Sequence, residues 1–144
     1  MNLRLFGLLT AASLAVASVA YAQQEIERTA SPSGARLYII SPSDGQTLSN
    51  PVIVRFGLAG MGIAPAGIEF PGAGHHHLML DTALPDLDKP IPADDHHRHF
   101  GRGQSEVALE LSPGVHSLQL LLGDRDHVPH LPPVFSEKIQ ITVE

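Results

Sequence analysis

Pro51-Val52-Ile53-Val54-Arg55-Phe56-Gly57-Leu58 alternates, with Val52, Val54, Phe56 and Leu58 on one face and Ile53, Arg55 and Gly57 on the other. A period of two is that of a strand with one face buried. Working outward, Leu37-Tyr38-Ile39-Ile40 is a short β-type run closed by the turn residues Ser41-Pro42-Ser43-Asp44-Gly45. Downstream, the stretch from His75 to Asp81, the alternation of Gln104 to Leu111, the run His116 to Leu122, and Ile139, Ile141 and Val143 all read as strands. Ser112-Pro113-Gly114 predicts a hairpin-like pairing of the two runs it joins. No stretch has a helical period. Short strands punctuated by Gly and Pro predict an all-β fold, an immunoglobulin-like antiparallel β-sandwich of about seven strands.

Between the strands lie three irregular stretches. Gly60 to Gly74 holds five Gly and two Pro, and Thr82 to Gly103 sets Pro85, Pro90 and Pro92 beside Asp86, Asp88, Asp94 and Asp95. Neither composition continues a helix or a central strand. Gly123 to Pro133 is a third loop, rich in charge, His and Pro. A long connection inside a small domain is functional or disordered, and histidines at the end of the second loop favour function.

The N-terminus carries Arg4, an apolar run from Leu5 through Ala20, and then Ala20-Tyr21-Ala22, a small-x-small cleavage site. Residues 1–22 therefore read as a secretory signal peptide, 23–34 as a flexible polar leader and 35–144 as one β-sandwich domain. The apolar run is shorter than the roughly 20 residues of a bilayer span, so no membrane span is expected in the mature chain. A periplasmic or secreted protein, monomeric, is the expectation. Loss of Arg4 with the signal leaves eight basic against fifteen acidic residues, a net charge of −7. Nucleic acid is therefore not an expected partner, since it requires a clustered basic face. With no Cys there is neither disulfide nor thiolate chemistry.

Nine histidines are the unusual feature, and eight of them cluster as His75-His76-His77, His96-His97-x-His99 and His127-x-x-His130. Imidazole is the commonest protein metal ligand. In a strand His75 and His77 project together with Met79 and Asp81, while His76 is in phase with Leu78 and Leu80 and reads as a hydrogen-bonded core residue. His97 and His99 repeat the alternation if their segment is extended, and His127 lies among Asp124 and Asp126. The candidate metal ligands are thus His75, His77, His97, His99 and His127. His116, entering a strand after Leu111-Ser112-Pro113-Gly114-Val115, reads as a structural corner. Nitrogen ligation without thiolate suits a copper ion first and a zinc ion second.

Gly74-His75-His76-His77-Leu78-Met79-Leu80-Asp81, the stretch His99 to Glu106, Leu111 to Leu120 and Pro132-Pro133-Val134-Phe135-Ser136-Glu137 resemble a bacterial exported-domain family of unknown function. That resemblance implies no activity. Ser41-Pro42-Ser43-Asp44-Gly45, Leu111-Ser112-Pro113-Gly114-Val115-His116 and Asp126-His127 more distantly resemble the CopC periplasmic copper-carrier family. This second likeness implies a small sandwich. It does not carry over the N-terminal His ligand of those proteins, because this mature chain would begin at Gln23 and lacks the Gly between Asp and His.

The expected function is a periplasmic metal-binding module, copper first, that carries or buffers the ion. The alternative is a cell-envelope domain that binds a protein or glycan, with the histidines as polar contacts. No enzyme is expected, since no His-Glu-x-x-His, Gly-x-Ser-x-Gly or other catalytic spacing occurs.

Overall fold

The computed structural model describes residues 26–144. The signal-peptide segment 1–22 lies outside them. Among the described residues every regular element is a strand, and no helix is long and apolar enough to cross a membrane. The elements are β1 (Arg36–Ser41), β2 (Thr47–Leu48), β3 (Val52–Ala59), β4 (Gly62–Ile63), β5 (Ala73–Leu80), β6 (His97–His99), β7 (Glu106–Leu109), β8 (Gly114–Gly123) and β9 (Ile139–Val143). The six runs expected from alternation are all strands. The count exceeds seven because β2, β4 and β6 are fragments of two or three residues.

A three-stranded sheet, β1-β3-β7, faces a larger sheet ordered β2-β9-β8-β5-β4, with β6 also paired to β5. The pairings are antiparallel except for two-residue parallel contacts of β2 with β9 and β4 with β5, so the larger sheet is mixed rather than purely antiparallel. Val52, Val54 and Phe56 of β3, with Leu37 and Leu109, meet Leu78, Leu80, Leu118, Leu120, Leu122, Ile141 and Val143 across the interior. Burial of these two apolar faces defines a sandwich.

Two expectations are corrected. β7 and β8 do not form a hairpin: β7 pairs with β3, and β8 lies between β5 and β9. Ser112-Pro113-Gly114 instead carries the chain from one sheet to the other, which lets Leu109 and Leu118 enter the core from opposite layers. The leader is also fastened from residue 28 onward. Ala30 pairs in parallel with Leu131, and the Arg28 guanidinium donates to the carbonyls of Pro129 and His130 and to the Asp88 carboxylate. These bonds order a segment whose polar composition alone gave no strand signal.

β5 is buried along all eight residues, on both of its faces. Its outer face is covered by loops: Met79 and Leu121 pack with Ile91 beneath Leu84 and Leu87. This second, smaller apolar cluster places His75 and His77 under a roof.

Candidate metal centre

The alternation of β5 sends His76, Leu78 and Leu80 into the sandwich and His75, His77 and Met79 to the outer face. His76 packs on Phe56 at 5.1 Å between ring centres, and its Nδ1 donates to the carbonyl of Gln104 at 3.1 Å. It is a core histidine, as its phase predicts. On the other face His77 is paired directly with His99 across the β5–β6 ladder. His75 faces Gly123 of β8. A methyl group at Gly123 would lie 2.9 Å from His77 Nε2, and one at Gly101 would collide with the His99 ring. Both glycines make room for imidazoles.

The fourth ring, His127, comes from the loop between β8 and β9. His127 has φ of 67°, a conformation uncommon outside glycine, and the loop over-determines it. Asp124 Oδ1 accepts from the amides of Asp126 and Val128 at 2.9 and 3.0 Å, and Oδ2 accepts from the Thr29 hydroxyl at 2.7 Å. The His127 carbonyl accepts from the amide of Ile91 at 2.8 Å.

Four imidazole rings pack together as a result, three of them, His75, His77 and His99, with nitrogens in mutual reach and His127 joined to the group through His99. Nε2 of His75 and His77 are 3.0 Å apart, and Nε2 of His99 and His127 are 3.1 Å apart. One ring nitrogen from each of His75, His77 and His99 lies within 4.8 Å of the other two. Ring centres are separated by 4.8 Å (His75–His77), 5.1 Å (His75–His99), 4.9 Å (His75–His127), 5.1 Å (His77–His99), 5.8 Å (His77–His127) and 4.7 Å (His99–His127). The cluster is graded in depth: His75 and His77 are inaccessible, His127 is half-buried and His99 is exposed.

Burial, followed by the neighbouring His127 and His99, holds the His75 pKa down to about 4. Burial and then the other cluster rings hold His77 at about 2. Burial, with His127 second, lowers that of His99. These rings are thus neutral at physiological pH, with lone pairs available to a metal without competition from protons. Below the ordinary value of 6.5 and down to about 4, the unfolded chain takes up a proton that folded His75 refuses. Stability from this group is complete above that window and is lost as pH falls through it.

Two neutral rings carry two N–H donors, and the His75–His77 contact uses one of them. The Nδ1 atoms of both rings are buried and find no partner among the described residues. One donor is therefore unmet, at a cost of about 1–3 kcal/mol. His76 and His130 differ, since each donates to a carbonyl, His130 through Nε2 to Ala73 at 3.2 Å.

His97, expected among the ligands, is not brought into the cluster. It is paired with Met79 one step further along the ladder, and its Nδ1 donates to Asp94 Oδ1 at 2.9 Å. The same carboxylate oxygen accepts from the amides of His96 and His97, so a closed turn holds the ring away. His116 ties its corner: Nδ1 donates to Asp81 Oδ2 at 2.7 Å and Nε2 to the Ser112 carbonyl at 2.8 Å. With both nitrogens donating, the ring is held as a cation, and the Asp81 bond raises its pKa.

The chain matches the family described as Domain of unknown function (DUF4399) over residues 54–144. It belongs to that family. The matched span includes β5, β6 and the 124–128 loop, and so all four rings. No curated protein and no solved structure matches the chain.

Proposed function

We propose that this protein binds a single transition-metal ion, copper first and zinc second, through His75, His77, His99 and His127, and carries or buffers it in the cell envelope. One observation carries the reading. An imidazole bonded through Nε2 at about 2.0–2.1 Å holds its ring centre about 3.2 Å from the ion, so four rings in a tetrahedron stand about 5.2 Å apart. The six ring separations, 4.7 to 5.8 Å, bracket that value. The graded depth suits a carrier: two rings form the floor, and two at the rim are accessible to an exchanging ligand.

Purified mature protein, stripped of metal and titrated with Cu(II) or Zn(II), is expected to take up one equivalent. The His75→Ala/His77→Ala variant is expected to lose that binding, with circular dichroism establishing that the sandwich has formed. Should the double variant fail to fold, His99→Ala and His127→Ala at the rim test the same site. Equal affinity in wild type and a folded variant of either kind would sink the proposal.

A further inference from the structure

Resting on the proposed metal site, we infer that its cargo is monovalent: the four-histidine centre selects Cu(I) over both Cu(II) and Zn(II). Two independent features lead there. The first is shape. A square-planar set of four imidazoles would split its ring separations into about 4.5 Å for adjacent rings and about 6.4 Å for opposite rings, the tetragonal pattern that Cu(II) prefers. The four rings can be divided into opposite pairs in three ways, with separations of 4.8 and 4.7 Å, 5.1 and 5.8 Å, or 4.9 and 5.1 Å. None reaches the long value. The arrangement is tetrahedral, which disfavours Cu(II) and leaves Cu(I) and Zn(II).

The second feature is charge. All four candidate ligands are imidazoles, which bind a metal as uncharged donors, no carboxylate belongs to the converging set of His75, His77 and His99, and the floor of the site is inaccessible to water. The cost of burying an ion rises as the square of its charge, so a divalent ion is penalised about four times as heavily as a monovalent one. The carboxylate whose charge reaches His75 is that of Asp124. It is buried, and its oxygens already accept three hydrogen bonds, from Asp126, Val128 and Thr29. A single negative charge balances a single positive one, whereas a divalent ion would leave an uncompensated charge beside Met79, Ile91 and Leu121. Uncharged nitrogen donors, tetrahedral placement and one nearby counter-charge together fit a monovalent ion.

The prediction reverses the usual affinity order, in which Cu(II) leads for nitrogen sites. The test titrates the mature wild-type protein with Cu(I), held anaerobically by a competing chelator, and separately with Cu(II) and Zn(II). Cu(I) is expected to bind tighter than either by about tenfold or more. A second variant, His127→Asp, adds a carboxylate at the rim without disturbing the buried floor, and is expected to shift the preference toward Zn(II) by about tenfold or more. A smaller Cu(I) preference in wild type, or no shift in His127→Asp, overturns this inference and leaves the metal site standing. Failure of the wild type to bind any of the three ions overturns the site itself.

Discussion

Gly74 and Gly123 lie close together at the start of β5 and the end of β8, yet an added methyl group would meet different things. At Gly74 it would lie 2.6 Å from the Gly123 carbonyl oxygen, part of the backbone; at Gly123 its nearest neighbour is His77 Nε2. Gly74→Ala therefore strains the ladder, while Gly123→Ala displaces a ligand. For Gly123→Ala we predict a folded protein whose metal affinity is lower by about tenfold, or about 1.4 kcal/mol, measured by competition titration. Wild-type affinity in this variant would show that His77 does not ligate. At this scale much was legible in the sequence. The period of two separates His76 from His75 and His77, and the same phase places Val52, Val54 and Phe56 in the core. The exclusion of His97 was not legible, because it depends on Asp94 closing a turn three residues earlier, a contact that competes with ligation and leaves no periodic trace.

Among the elements, the loop 124–128 decides whether the centre has three ligands or four. Its conformation is set by Asp124, and Asp124 is in turn held by the Thr29 hydroxyl from the N-terminal segment. Thr29→Val removes that hydrogen bond while leaving the Asp124 charge in place. Thermal denaturation is expected to show a loss of about 1 kcal/mol. Metal affinity should fall several-fold in the wild-type background and by clearly less in His127→Ala, because Thr29 positions the loop that carries His127. Equal losses in both backgrounds would contradict that role. The sequence made the strands clear and their partners less so. Alternation identifies a strand and its buried face but not its neighbour, which is why Ser112-Pro113-Gly114 reads as a hairpin turn when it crosses between sheets. The three-residue β6 is too short for a period, and the fastening of residues 28–31 rests on long-range backbone pairing with Leu131.

For the molecule as a whole, a large sheet has one face in the sandwich core and the other roofed by loops. Burial on both sides of β5 is what turns a run of three histidines into one core residue and two floor ligands. His99 and His127 then arrive from a strand fragment and a loop that are distant in sequence, as expected of a site assembled by tertiary structure rather than by a linear motif. The central claim is that these four imidazoles hold one ion together. X-ray absorption at the metal edge of the loaded wild-type protein measures this directly: the account predicts four imidazole nitrogens at about 2.0–2.1 Å from a single ion, whereas a centre with two or fewer imidazoles, or one completed by carboxylate oxygens, would contradict it.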